Sequence, residues 1–138
     1  MNLITDRTLE DVRLGTSKGQ YGPEDLNRVE QAVAELYALA MELGVTETPT
    51  IKTDWMAGGF FTPDTWPTEE QMRRYLDNVS NLCRLVEVAA FLPTTMAKLT
   101  WQGANQIEQA LESVYTRIQA IIQALKFSGE LFAGEEIL

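Results

Sequence analysis

Residues 104–126 read ANQIEQALESVYTRIQAIIQALK, and this stretch decides the fold because it is the longest patterned segment of the chain. Its apolar residues recur at alternating steps of four and three, the spacing that places them on one face of a helix. Tyr115 and Ile122 form a second stripe beside this face, so the helix can pack against two neighbours at once. We therefore predict a core helix, whose buried seam consists of Ile107, Leu111, Val114, Ile118, Ile121 and Leu125.

A second core helix is predicted over residues 24–43, where apolar residues keep the same three-four rhythm. Pro23 suits the first position of this helix, and Gly44 suits the residue that ends it. Upstream, Thr8 can cap a short helix that stops at Gly15. The chain thus begins with a minor element and then enters its first long helix.

A third core helix is predicted from Thr68 to about Phe91. Thr68 and Gln71 have the spacing of a capping box, in which each side chain accepts a hydrogen bond from the backbone of the other residue. At the C-terminal end, Pro93 disfavours helical angles at the residue before it and so stops the helix. Residues 92–103 then connect this helix to the central one.

The fold class that these elements indicate is all-α: a bundle of three long amphipathic helices with short extra elements and a long aromatic loop. A chain of 138 residues fits a single helical domain, residues 1–138. The central helix is expected to end at Ser128 and Gly129, and the acidic C-terminal tail, about 129–138, is expected to be peripheral and partly extended.

The aromatic loop, residues 45–67, lacks a helical pattern and is unusually apolar for a connection. Large aromatic side chains stand among glycine and proline residues that favour turns. Either these side chains fold back over the helices and close the core, or some remain exposed as anchors for a partner. The candidate partner-interface residues are Trp55, Met56, Phe60, Phe61 and Trp66.

The composition argues against several classes of function. With 20 acidic and 11 basic residues the net charge is −9, which repels nucleic-acid phosphates and anionic lipid surfaces. No run reaches the ~18–20 apolar residues of a membrane-spanning helix, and the charged N-terminus does not resemble a signal peptide. We therefore expect an intracellular protein that neither binds nucleic acid nor inserts into a membrane.

No catalytic residues, metal ligands or cofactor are predicted. Histidine is absent, which removes the commonest general base and zinc ligand. Cys83 lies on an apolar stripe and is expected to be a buried structural residue. Glu108 and Glu112 are expected on a solvated face of the central helix rather than in a di-metal site. Carboxylates from distant positions can still assemble into a catalytic pair, so an enzyme stays among the alternatives.

Eight short motifs are spread over nearly the whole chain: TDRT (5–8), KGQY (18–21), DLNRVE (25–30), KTDW (52–55), QMRRYLDNV (71–79), LPTTM (92–96), LTWQGANQIE (99–108) and SGELFAGE (128–135). Together they resemble small structural proteins encoded in the tail-gene clusters of phages and prophages of Gram-positive bacteria. The resemblance implies a non-catalytic virion or tail component near the baseplate, made in the bacterial cytoplasm. The motif residues expected to matter are structural: Asp25, Asn27, Lys52 to Trp55, and Asn105.

We therefore predict a phage-tail-type structural protein that assembles with other tail or virion proteins or with itself as a homo-oligomer. One alternative is a cytosolic adaptor or regulatory binding module that docks through the aromatic loop 45–67. A further alternative is a carboxylate-based enzyme, which would need a sequestered cluster of facing carboxylates.

Overall fold

A computed structural model describes residues 1–55, 61 and 65–136, of which residues 128–136 are described by their backbone alone. Within these ranges the regular structure is helical, and no β-strand is present. The four α-helices are α1 (Leu9–Leu14), α2 (Pro23–Glu42), α3 (Glu69–Leu85) and α4 (Trp101–Glu136), and a short 3-10 turn occupies Ser17–Gly19. The all-α prediction is confirmed at this level, with three long helices among the four.

The helix starts follow the predicted capping residues. The Thr8 side chain accepts a hydrogen bond from the backbone of Asp11 at the start of α1, and Gly15 follows the helix in a left-handed conformation. Pro23 is the first residue of α2, where the Asp25 carboxylate accepts from the Gly22 N–H at 2.8 Å. These caps satisfy N–H groups that a helix start leaves without partners.

The start of α3 follows the prediction, because Thr68 and Gln71 form the expected capping box. Its end does not: α3 stops at Leu85, six residues before the predicted Phe91. The Val88 N–H donates to the Cys83 carbonyl at 2.8 Å and the Glu87 N–H to the Arg84 carbonyl, while Glu87 adopts a φ of 58°. This is a Schellman ending, in which hydrogen bonds fold the chain back over the last turn.

α4 is longer than predicted at both ends. Its first residue is Trp101, because the Thr100 hydroxyl accepts a hydrogen bond from the Gly103 N–H at 3.1 Å and caps the helix. At the other end the helix continues through Ser128 and Gly129 to Glu136. The prediction of a partly extended tail after Gly129 is therefore wrong, since a single glycine or serine lowers helix stability by about 1 kcal/mol or less and does not by itself end a helix.

The three long helices start at the same end of the molecule. Glu30, near the start of α2, pairs with Arg74, near the start of α3, at 2.6 Å. Arg28 pairs with Glu108, in the first third of α4, at 2.7 Å. At the other end, the Arg117 guanidinium donates to the Val86 carbonyl just beyond α3 at 3.2 Å. Each pair joins equivalent levels of two helices, so α2, α3 and α4 run in the same direction.

The common direction explains the long connections between the helices. A helix of 20 residues spans about 30 Å, and a connection between two parallel neighbours must return over that distance. The chain from Glu47 to Trp55 returns along the seam between α2 and α3: Glu47 pairs with Arg84 near the end of α3, and Trp55 contacts Asn27 near the start of α2. We call residues 47–55 the strap.

The core lies where α2, α3 and α4 pack against one another, and we call this packed region the helical body. Of the predicted seam of α4, Ile107, Leu111, Val114 and Ile118 are fully buried, while Ile121 is half-buried. Leu125 is 58% exposed, so its prediction as a core residue is wrong for the single chain. The reason is that α4 continues beyond α2 and α3, which leaves its last turns without neighbouring helices.

Candidate functional site

The motif residues meet in two buried clusters of charged and amide side chains. The arm network holds the N-terminal arm, residues 1–8, against α2 and α4. It consists of Arg7, Asp25, Arg28, Asn105 and Glu108. The strap network holds the strap against α2 and α3. It consists of Asn27, Glu30, Trp55, Arg74 and Asn78.

Glu108 is the centre of the arm network and is fully buried. Its carboxylate accepts hydrogen bonds from Arg7 Nη2 at 2.6 Å, from Arg28 Nε at 2.7 Å and from Arg28 Nη2 at 2.8 Å. A fourth bond comes from the Ile4 N–H at 3.0 Å. A buried carboxylate needs this number of donors to offset its loss of hydration.

Asp25 joins the same two arginines from the side of α2. Its Oδ1 lies 3.3 Å from Arg7 Nη2 and 2.7 Å from Arg28 Nη2. The arm network therefore contains two guanidinium groups and two carboxylates, and its formal charges cancel. Such mutual neutralisation allows four ionic side chains to lie in or beside the core, because no unpaired charge is left in a medium of low dielectric constant.

Asn105 binds the backbone of the N-terminal arm. Its Oδ1 accepts from the Arg7 N–H at 3.0 Å, and its Nδ2 donates to the Arg7 carbonyl at 3.0 Å. One turn further along α4, Gln109 Nε2 donates to the Thr5 carbonyl at 3.4 Å. The arm lacks regular secondary structure, so these amides supply hydrogen bonds that a helix or sheet would otherwise provide.

Two tyrosines border the arm network. The Arg7 guanidinium lies 5.5 Å from the centre of the Tyr21 ring, a cation–π arrangement. The Tyr21 and Tyr75 hydroxyls share a hydrogen bond. Burial raises the pKa of both hydroxyls above the usual tyrosine range, so they stay protonated at neutral pH. Among the described residues, Arg7 Nε is the buried side-chain atom that has no hydrogen-bond partner.

Glu30 is the centre of the strap network and is 1% exposed. Its carboxylate accepts from Arg74 Nη1 at 2.6 Å, from Trp55 Nε1 at 2.6 Å and from the Lys52 N–H at 3.1 Å. The Thr50 carbonyl accepts from Arg74 and from Asn78. One buried carboxylate of α2 thereby fixes both α3 and the strap.

Asn27 binds the strap in the way that Asn105 binds the arm. The Trp55 N–H donates to Asn27 Oδ1 and Asn27 Nδ2 donates to the Trp55 carbonyl, both at 2.9 Å. In each case the amide of a helical asparagine pairs with both backbone groups of one residue in an irregular segment. Asn27 and Asn105, which the resemblance marked as structural, thus have the same task at two places in the fold.

The predicted partner-interface residues do not share one environment. Trp55 is 5% exposed, and its ring packs edge-on against Phe61 with ring centres 6.2 Å apart. Its prediction as an exposed anchor is therefore wrong, because the strap network draws the indole into the core. Phe61 is half-buried and Trp66 is 64% exposed. Met56 and Phe60 lie outside the described residues.

Sequence reasoning did not identify four charged residues of the two networks: Arg7, Arg28, Glu30 and Arg74. It also placed Glu108 and Glu112 on a solvated face, and of these two only Glu112 is exposed. A signal was present. Glu108 lies four residues after Ala104 and three before Leu111, so it falls on the apolar face of its helix. Glu30 likewise lies four residues after one buried apolar residue of α2 and three residues before another. A carboxylate at such a position predicts a buried ion pair.

A groove with a volume of about 1080 Å³ lies beside the first half of α3. Its apolar lining includes Phe61, Trp66, Met72, Leu76, Met96 and Leu99. The carboxylates of Glu69 and Asp77 and the guanidinium of Arg73 also line it. The groove therefore combines an apolar floor with a polar rim, which is the common form of a site that receives apolar side chains of a partner.

Within the part of the chain that the structure describes, no cluster of three or more acidic, cysteine or histidine side chains is arranged to hold a metal ion. None of the helices in that part combines the length and apolar composition needed to cross a bilayer. In the comparisons with known proteins, no family model matches the chain, and neither a curated protein nor a solved structure is similar to it.

Proposed function

We propose that this chain is a structural protein of a phage or prophage tail, which acts through protein contacts and not through catalysis. The observation that supports this proposal is that the motif residues hold the irregular segments of the chain to the helices. Five of the eight motifs that resemble those of tail-cluster proteins contribute side chains to the two buried networks. These networks tie the arm and the strap to three helices, which is what a rigid building block requires.

In this proposal α2, α3 and α4 form a parallel three-helix bundle. The core residues of the three helices make one continuous apolar cluster, and the networks fix the segments that would otherwise be loose. Rigid components lose little conformational entropy when they assemble, because their contact surfaces are already ordered. A pre-organised bundle is therefore suited to assembly in many copies.

An adaptor or regulatory binding module is the second candidate, and the exposure of Trp66 favours it. An indole that is 64% exposed beside an apolar groove resembles the aromatic anchors of partner-binding surfaces. The carboxylate-based enzyme gains less support. Asp25 and Glu108 lie near each other, but both are ion-paired with the same two arginines, so their carboxylate oxygens are occupied by protein groups and are not open to a substrate.

The test is incorporation into particles. The bacterial strain that encodes the chain is induced, particles are purified on a density gradient, and the chain is detected with an antibody and located by immunogold labelling. A tail protein is expected in the particle fraction at a fixed ratio to other tail proteins, with gold particles confined to the tail. A chain that stays entirely in the soluble lysate while particles form normally would overturn the proposal in favour of the adaptor.

A further inference from the structure

The surface of α2 and α4 that holds the N-terminal arm, which we call the arm cleft, consists of Asp25, Arg28, Asn105 and Glu108. We propose that the arm cleft takes the arm of a second copy in place of the chain's own arm, so that two copies exchange arms and are held together by them. The inference deepens the proposed structural role and rests on it, because it names the contact by which copies associate.

The arm cleft selects an extended segment with an arginine at one position. Glu108 and Asp25 accept from the Arg7 guanidinium at 2.6 and 3.3 Å. Asn105 accepts from the Arg7 N–H and donates to the Arg7 carbonyl, each at 3.0 Å. The backbone bonds require an extended chain, whereas the two carboxylates require a side chain with several N–H donors and a positive charge.

Charge complementarity requires that the arm cleft be occupied. Without the arm, the two carboxylates of Asp25 and Glu108 share the single positive charge of Arg28, which lies 2.7 Å from each. Glu108 is fully buried, so an empty cleft keeps negative charge in the core without its second counter-ion, at a high cost in free energy. A cleft that loses its own arm therefore binds another Arg7 strongly.

The linker, residues 9–20, attaches the arm to α2 with little anchorage in the core. Neither α1 nor the 3-10 turn has a buried residue. The ion pair of Lys18 with Asp6 joins the linker to the arm itself and lies at the surface. Tyr21, which follows the linker, packs against the core. Release of the arm therefore breaks the contacts of the arm cleft and leaves the helical body in place.

The linker is long enough to reach a neighbouring copy. Its two ends lie close together, because Arg7 on one side of it contacts Asp25 on the other at 3.3 Å. The linker thus leaves the helical body and returns to the same place. Its 12 residues span about 40 Å when extended, which exceeds the roughly 30 Å length of a helix of 20 residues.

An exchanged arm makes the same hydrogen bonds and ion pairs as an arm bound within its own chain. Exchange therefore depends on the freedom that two chains lose when they associate and on their concentration. Copies held side by side in an assembly have a high effective concentration for one another. Arm exchange also supplies an attraction that two chains of net charge −9 otherwise lack.

Cross-linking of whole chains tests the inference. Gln109 Nε2 donates to the Thr5 carbonyl at 3.4 Å, so cysteines at these two positions are within reach of a short bis-maleimide. All variants carry Cys83→Ala, which removes the natural thiol. A Thr5→Cys chain and a Gln109→Cys chain with tags of different mass are mixed and cross-linked over a concentration series. Arm exchange joins the two variants into a covalent heterodimer.

A single chain with both cysteines should form an intramolecular cross-link at low concentration, which checks the geometry. In the mixture, the heterodimer should increase with concentration. Thr116→Cys in place of Gln109→Cys is the matched control for chance encounters, because it is exposed on the same helix two turns further from the arm. Adding Arg7→Ala to the Thr5→Cys chain should lower the heterodimer yield about tenfold or more, whereas adding Arg13→Ala, at an exposed position of α1, should not change it.

A heterodimer yield that never exceeds the Thr116→Cys control, while the chain with both cysteines forms its intramolecular cross-link, would overturn arm exchange. Equal yields with and without Arg7→Ala would overturn the selection of arginine by the arm cleft. If the chain with both cysteines forms no intramolecular cross-link, the arm does not lie on α4 and the inference fails with it. None of these results decides the proposed tail function, since particle incorporation is measured separately.

Discussion

Asn105 pairs with Arg7 through both atoms of its amide: it accepts from the Arg7 N–H and donates to the Arg7 carbonyl, each at 3.0 Å. The two residues are 98 positions apart in the chain. The pairing is the same as that of Asn27 with Trp55. In both places a helical asparagine supplies the two hydrogen bonds that a neighbouring β-strand would otherwise give. These bonds fix an irregular segment in the fold.

Asn105→Ala is expected to lower the free energy of unfolding by about 2 kcal/mol. The change leaves the N–H and carbonyl of Arg7 buried without partners, and each such group carries a desolvation cost. Urea unfolding measures the loss, and hydrogen exchange of residues 4–7 should become faster because the arm is released. Gln102→Ala, at an exposed position of the same helix, is the control. Unchanged exchange in the arm would show that Asn105 does not hold it.

Glu108→Ala is expected to cost about 3–5 kcal/mol of stability, since it leaves two guanidinium groups in or beside the core without their main counter-charge. Glu112→Ala, one turn further along the same helix, changes an exposed carboxylate and should lie within about 0.5 kcal/mol of the wild type. Both values come from urea unfolding at neutral pH. Similar effects of the two substitutions would mean that the arm network contributes little.

The sequence predicts the helices well because their signals are local. Capping residues such as Thr8 and Thr68, Pro23 at the start of α2 and Gly44 at its end act within a few residues of their own positions. The burial of Glu108 has a different cause. Its partners Arg7 and Arg28 are 101 and 80 residues away, so its environment depends on the packing of distant segments.

Two further features depend on tertiary structure in the same way. The apolar rhythm of α4 continues through Leu125, but periodicity within one helix does not reveal where its neighbours end. The direction of the helices is likewise invisible in any single segment. The long connection between α2 and α3 was a usable signal, because antiparallel neighbours can be joined by short loops and parallel ones cannot.

Removal of the indole ring should lower stability strongly at Trp55 and only slightly at Trp66. Trp55 is buried and its Nε1 donates to Glu30, so Trp55→Ala is expected to cost about 3–5 kcal/mol and to lower the melting temperature strongly. Trp66→Ala changes an exposed residue and should alter stability by about 0.5 kcal/mol or less. Thermal unfolding followed by circular dichroism separates the two. A mild effect of Trp55→Ala would contradict the buried position of its ring.

Glu87→Gly is expected to stabilise the protein by about 0.5–1 kcal/mol. Glu87 follows the end of α3 with a φ of 58°, a left-handed conformation that costs an L-residue about 1–2 kcal/mol. Glycine removes this cost, but part of the gain in stability is offset because glycine makes the unfolded chain more flexible. Gly44 occupies the equivalent position after α2 with a φ of 100°. Gly44→Ala should therefore destabilise by about 1 kcal/mol, and a gain from both substitutions would contradict this account of the helix ends.

Gly19 allows the turn after α1 to approach the helix closely. A Cβ atom at this position would lie 2.3 Å from the Asp11 carbonyl oxygen and 2.7 Å from the Val12 nitrogen, both of which are backbone atoms. Gly19→Ala must therefore displace α1 from the turn, and we expect a loss of about 1–3 kcal/mol. Because α1 has no buried residues, faster hydrogen exchange should be concentrated in residues 9–16.

Gly22→Ala is the matched control, since a Cβ atom there meets nothing within 4 Å and the backbone has a φ of −131° that any residue adopts. Its effect should be about 0.5 kcal/mol or less. If the two substitutions have equal effects, the loss at Gly19 does not come from a steric contact with α1. A loss confined to Gly19→Ala identifies the close approach to Asp11 as the reason that the turn needs glycine at this position.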